Sequence, residues 1–137
     1  MAIGYDARGR EIARSAPTYN PAIIYFTRYR NFDALGRPGI KATDRSVGVP
    51  IEIAYRYVGL DKFIRLPGVT NELVRGYDSQ QRMVRSTDAL GAVTTYQYDA
   101  SGQLSALIDS SNNAIRATYD ALGRRLTISH PDGGTRT

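Results

Sequence analysis

The sequence predicts an all-β chain, an antiparallel meander of β-hairpins. Three observations carry this reading: a composition weighted to turn and strand formers, a tetrapeptide that recurs along the chain, and side chains that alternate with a period of two. Among the 137 residues the acids divide into 10 Asp and only 3 Glu, beside 10 Tyr and 13 Gly. Asp and Gly favour tight turns, Tyr favours strands and Glu favours helices. No stretch carries an apolar stripe at helical spacing, so almost no helix is expected.

The turns come first in the argument. The string Asp-Ala-x-Gly occurs five times, running from Asp6 to Gly9, Asp33 to Gly36, Asp88 to Gly91, Asp99 to Gly102 and Asp120 to Gly123. An Asp opening a type I turn caps backbone N–H groups with its carboxylate. A Gly in fourth place accepts the positive φ that closes a bulged hairpin loop. Asp109-Ser110-Ser111-Asn112 fits the same template, because Asn tolerates positive φ. Asp78-Ser79-Gln80-Gln81 fits poorly and is expected to be either a strained turn or a different connection. An aromatic residue precedes the Asp in Tyr5-Asp6, Phe32-Asp33, Tyr77-Asp78, Tyr98-Asp99 and Tyr119-Asp120, and the last three pairs stand 21 residues apart. Tyr57-Val58-Gly59 is a decayed copy of the same element.

Strands are expected between the turns. In Val93–Tyr98 the residues Thr94, Tyr96 and Tyr98 share one face. In Ala114–Tyr119 the residues Ile115, Ala117 and Tyr119 do the same, and Leu126 and Ile128 pair off likewise. Period two marks a strand with one buried face. Each 21-residue unit then holds two strands and two turns, and Tyr77, Tyr98 and Tyr119 are expected to form a row across them. The chain divides accordingly. Residues 1–70 are degenerate units with loop insertions, and 71–137 are regular units whose last member is cut short. Residues 15–28 and 38–50, broken by Pro17, Pro21, Pro38 and Pro50, are expected to be loops or edge pieces. The run Ala22–Thr27 between them is uncharged and β-prone, hence a buried strand or, if exposed, an aggregation hazard.

Composition excludes several function classes. There is no Cys, so disulfides, thiolate catalysis and thiolate zinc sites are absent. No apolar run approaches a bilayer span, and no charged-then-apolar leader follows Met1. The net charge of +5 permits nucleic acid binding, but the 16 Arg are scattered and do not cluster. His130 occupies the turn position held by Asp88 and Asp109 in earlier units. As a lone base without nucleophile or orienting partner it reads as a turn residue. The Asp residues lack the alternate spacing of a calcium loop. Gly4 to Arg10 lacks the Lys-Ser/Thr of a phosphate loop. Tyr25, Tyr29, Tyr55 and Tyr57 near Arg28, Arg30 and Arg56 could stack sugars or bases; a cross-strand ladder with cation–π edges is the plainer account. Neither catalytic, cofactor-binding nor metal-binding residues are expected, and no enzymatic activity.

The segments Thr95–Leu104 and Tyr119–Arg124 resemble RHS repeats, also called YD repeats. The likeness is strong over 76–134, weaker at 4–12 and 29–37, and poor at 15–28 and 38–70. The resemblance implies a β-strip that curves and spirals into a hollow shell. In this family such shells belong to bacterial polymorphic toxins, including Rhs effectors of type VI secretion and insecticidal toxin complexes, and enclose a toxic C-terminal domain. Related repeats occur in animal teneurins. The family's shell-closing segment, with Asp-Pro-x-Gly motifs, has no match here, and Asp132-Gly133 lacks its context. Both termini cut through repeat units, so the chain is expected to be part of a longer shell.

The expected function is therefore structural. The chain would be a wall segment of an exported bacterial toxin, partnered by neighbouring repeats and an enclosed toxin domain, and prone to self-association through sheet edges. No membrane or nucleic acid partner is expected. The alternative is a carbohydrate- or protein-binding cell-surface module. The residues expected to carry the repeat are Tyr5, Asp6, Gly9, Phe32, Asp33, Gly36, Tyr77, Asp78, Asp88, Gly91, Tyr96, Tyr98, Asp99, Gly102, Tyr119, Asp120 and Gly123.

Overall fold

The computed structural model describes residues 2–16, 25–45 and 49–136. Among them every regular element is a strand, and each strand for which pairing is defined runs antiparallel to its neighbour. The all-β hairpin meander expected from the sequence is the observed fold. No helix is long and apolar enough to cross a membrane.

The chain forms two compact units. One gathers residues up to Tyr57 with Phe63–Glu72; the other takes Val58–Lys62 with everything from Leu73 onward. The first holds β1 (Ile3–Tyr5), β2 (Glu11–Ser15), β3 (Tyr25–Arg30), β4 (Ile40–Arg45) and nearly all of β5 (Ile51–Val58). Strand β6 (Asp61–Arg65) straddles the division. The second holds β7 (Leu73–Tyr77), β8 (Met83–Thr87), β9 (Val93–Tyr98), β10 (Leu104–Ile108), β11 (Ala114–Tyr119), β12 (Arg125–Ser129) and β13 (Thr135–Arg136). Within each unit strand order follows chain order.

Strands β3 and β4 correct one expectation. Residues 25–28 and 40–45 are ladder and not loop, and β4 pairs on both sides, with Thr43 opposite Thr27 and Ile51. The prolines explain why this is allowed. Pro38 and Pro50 precede β4 and β5 instead of lying inside them, so no ladder N–H is lost. Ala22–Ile24 of the β-prone run lie outside the described residues; Tyr25–Thr27 belong to β3.

The expected alternation is present in β11, where Arg116 and Thr118 are exposed and Ile115, Ala117 and Tyr119 are half-buried, but the face is not fully buried. Both units are single layers of strands, and no large side chain among the described residues is fully buried. Ala42, Ala106 and Asp44 are the buried core residues apart from Gly76. A strand face is buried only where a second layer packs on it, and neither unit supplies one for its own strands. The fold is therefore held by ladders and by the turn-to-turn contacts described next.

Candidate functional site

Eight hairpin turns among the described residues share one backbone. The N–H of the first residue donates to the carbonyl of the fifth at 2.9–3.0 Å, and that of the fourth to the carbonyl of the first at 3.0–3.1 Å. They begin at Asp6, Asp33, Asp78, Asp88, Asp99, Asp109, Asp120 and His130. The fourth residue is left-handed in each, from φ 62° at Gln81 to φ 87° at Gly91. Glycine holds this place in six of the turns and Asn112 in one. The poor match at Asp78–Gln81 thus resolves as the strained alternative: the same turn, with a glutamine in a conformation that costs a side-chain-bearing residue about 1–2 kcal/mol. His130 takes the backbone role of the Asp it replaces.

The carboxylates clamp the turns. Asp6 Oδ1 accepts the N–H groups of Arg8 and Arg10 at 2.9 and 3.0 Å. The pattern repeats at Asp33, Asp78, Asp88, Asp109 and Asp120. Asp99 Oδ1 accepts the N–H of Gln103 at 2.8 Å. The second oxygen takes the side chain of the fifth residue. Arg10, Arg37, Arg82 and Arg124 each donate Nε to their own turn's Asp Oδ2 at 2.7–2.8 Å, and Asn113 donates Nδ2 to Asp109 at 2.9 Å.

These bonds favour the charged carboxyl, so several lie below the ordinary carboxylate range. The Arg10 side chain leads at Asp6, and the Asn113 side chain at Asp109. Backbone N–H groups of Arg37, Arg82 and Arg124 lead at Asp33, Asp78 and Asp120.

The clamped arginines then reach forward to the next aromatic. Arg10 Cζ lies 4.3 Å from the Phe32 ring centre, Arg37 4.1 Å from Tyr57 and Arg82 4.6 Å from Tyr98. The fifth-residue side chain also covers the glycine of the next aromatic–Asp turn at three places. A Cβ on Gly36 would sit 3.7 Å from Arg10 Cδ, one on Gly102 3.4 Å from Arg82 Nη1, and one on Gly123 2.7 Å from Gln103 Nε2. The aromatic returns the contact. Tyr98 donates its hydroxyl to the Met83 carbonyl at 2.9 Å, Tyr119 to Leu104 at 3.0 Å and Tyr57 to Pro38 at 3.4 Å. Each of these carbonyls lies five residues after the Asp of the preceding aromatic–Asp turn, at Asp78, Asp99 and Asp33.

The rung of the repeat is therefore Asp, Arg, next aromatic, and it joins a turn to the aromatic that precedes a later one, in one direction. Of the residues singled out from the sequence, Asp6 with Phe32 and Gly36, and Asp78 with Tyr98 and Gly102, meet in these rungs through Arg10 and Arg82; Tyr5, Tyr77, Gly9 and Gly91 are not seen in one. Asp88 and Gly91 form a turn of the same kind whose fifth residue, Ala92, carries no reaching side chain. Tyr96 sits inside β9 opposite Leu107. The arginines at positions 10, 37, 82 and 124 were missed. Their signal was present, since Arg directly follows the turn's fourth residue in all four places.

A second polar cluster lies on β3–β5. Asp44, 5% exposed, holds Arg28 Nη2 at 2.5 Å on one oxygen, while its Oδ1 is buried without a hydrogen-bond partner. Arg30 pairs with Glu52 beside it, and Glu72 bridges Arg56 and Arg65 at 2.8 and 3.6 Å. No group of His, Asp or Glu among the described residues is arranged to hold a metal ion.

Strand after strand of clamped hairpins, with three turns holding the aromatic that precedes a later turn, defines a β-hairpin repeat protein. The RHS Repeat family model matches residues 77–114 and 98–135. The chain is also 42% identical over 103 residues to Toxin protein Tse5 of Pseudomonas aeruginosa, a match that covers 74% of this chain and 8% of that protein. The chain belongs to the RHS/YD-repeat family.

Proposed function

We propose that this chain is a wall segment of an exported bacterial toxin, in which RHS repeats enclose a toxic C-terminal domain and perform no chemistry themselves. The observation that carries the reading is the rung. The turns at Asp6, Asp33 and Asp78 spend their arginine on the aromatic that precedes a later turn, a device for extending a sheet and not for meeting a substrate. The likeness to a protein named as a toxin supplies the toxin context, and the chain corresponds to a small share of that protein. Neighbouring repeats and the enclosed domain are the proposed partners, and export follows from the same reading.

The carbohydrate-binding alternative needs free ring faces. Phe32, Tyr57 and Tyr98 each have a guanidinium over one face, which weighs against it at those rings. The wall reading is tested in the parent protein by limited proteolysis. Arg82→Ala combined with Asp78→Ala should expose the enclosed domain to protease at concentrations where the unaltered protein protects it. Equal protection in both, or a parent protein with no such domain, would defeat the proposal.

A further inference from the structure

Among the described residues, Asp44 Oδ1 is the one buried side-chain oxygen or nitrogen without a hydrogen-bond partner. Folded proteins rarely leave a buried acceptor so, because its lost hydration is not replaced. Asp44 stands on β4 opposite Phe26 of β3. Its side chain is 7% exposed and takes Arg28 on Oδ2 alone. Glu52 on β5, opposite Ala42, has the same arrangement and takes Arg30 on Oε1 alone. Ala42, 3% exposed, lies on β4 two residues before Asp44. Arg28, Arg30, Ala42, Asp44, Pro50 and Glu52 together line a cavity of about 100 Å³.

We infer that this cavity binds a primary ammonium group on a short alkyl stem, with Asp44 Oδ1 and the second oxygen of Glu52 as its acceptors. The positions that the two arginines do not use are acceptors, so the group they call for is a donor. An ammonium carries three N–H donors on one compact head, so a single group serves both oxygens. Its bonds to carboxylates are charge-assisted and stronger than those of a neutral donor. The methyl of Ala42 and the ring of Pro50 suit methylenes. The volume, roughly three water molecules' share of the liquid, takes such a head and a short stem but no large ring system. A divalent metal fits poorly, because hard cations want six or more oxygens and two guanidiniums border this site. The ligand class is thus an alkylammonium, as a free amine or as a lysine side chain carries it. The inference does not depend on the toxin-wall reading.

Titration of the ¹⁵N-labelled chain with propylammonium chloride, followed by nuclear magnetic resonance, tests it. The amide signals of Ala42, Asp44 and Glu52 should shift saturably. Sodium chloride and tetramethylammonium chloride at equal ionic strength offer no N–H and should leave them in place. Asp44→Asn should raise the Kd about tenfold, the loss of one charge-assisted hydrogen bond. Glu52→Gln should raise it about threefold, since that side chain is 46% exposed and its bond is shared with water. The half-exposed Glu52 carries the test if Asp44→Asn does not fold. Nα-acetyl-lysine N-methylamide separates the two sources: equal or tighter binding assigns the site to a lysine side chain, and weaker binding to a free amine. Shifts that never saturate overturn the inference, as do shifts reproduced by tetramethylammonium. So does acetamide binding as tightly as propylammonium, or an affinity unchanged in both variants.

Discussion

Two glycines in the same turn position separate backbone strain from packing. Gly91 has φ 87° and nothing within 4 Å of where a Cβ would be. Gly91→Ala therefore adds only the cost of a left-handed alanine, about 1 kcal/mol. Gly123 has φ 82°, but its Cβ would lie 2.7 Å from Gln103 Nε2. Gly123→Ala must in addition push that amide off its seat, for a total of about 2 kcal/mol. Urea unfolding followed by far-ultraviolet circular dichroism and tyrosine fluorescence measures both, and each kcal/mol should lower Tm by about 3–5 °C in a chain of this size. A neutral or stabilising Gly91→Ala would refute the claim that the turn requires glycine for its dihedral. Equal effects at both positions would refute the contact between Gln103 and the Asp120 turn.

Other changes follow from the same geometry. Gln81→Gly relieves a left-handed glutamine at φ 62° and should raise stability by about 0.5–1 kcal/mol, read from the urea midpoint. Gly39→Ala places a Cβ 2.7 Å from the Asn31 backbone oxygen, whereas at Gly76 the nearest atom is the movable Asp61 Oδ1 at 2.9 Å. Thermal unfolding should therefore show Gly39→Ala as the costlier, at about 2–3 kcal/mol against about 1. The carboxyls of Asp6, Asp33, Asp78, Asp109 and Asp120 titrate lower folded than unfolded, so the stability they confer is complete above the unfolded value and is lost as pH falls through the folded ones. The urea midpoint should be flat above about pH 5 and drop below about pH 4. Asp120→Asn should flatten part of that drop, and an unchanged acid limb would show that the clamps do not set it.

The turns were the most legible part of the molecule. Asp-Ala-x-Gly states its own dihedrals, because a carboxylate two and four residues before backbone donors and a residue without Cβ leave little else to adopt. Strands β9 and β11 were read with their observed limits from alternation alone. The region before residue 70 was harder for a physical reason. Prolines were taken as breaks in a strand, yet Pro38 and Pro50 mark the entry points of strands that begin just after them. The rung itself was half visible. Cation–π edges between arginine and tyrosine were expected, but the fixed place of arginine after the turn was not used. A contact that joins residues about 16–22 apart leaves no periodic trace within one strand, and only the repeat reveals it.

The rung also explains where the ladder is weakest, and this can be reversed. At Asp99–Gln103 the fifth residue is Gln, which reaches the Gly123 turn but cannot give a guanidinium to Tyr119. The surroundings for an arginine are otherwise complete: Asp99 already accepts the residue-103 N–H at 2.8 Å, and Tyr119 already donates to the Leu104 carbonyl at 3.0 Å. Gln103→Arg should therefore build the missing rung and raise stability by about 0.5–1 kcal/mol. Arg82→Gln should remove an existing rung and cost a similar amount, since nearest-neighbour contacts dominate a repeat fold. The two sites share Gly102 and Asp99 as neighbours, so a double-mutant cycle should show coupling instead of simple addition. If Gln103→Arg destabilises while Arg82→Gln is neutral, the arginine-on-aromatic contact is a by-product of the turn clamp, and the hairpins are joined by their backbone ladders alone.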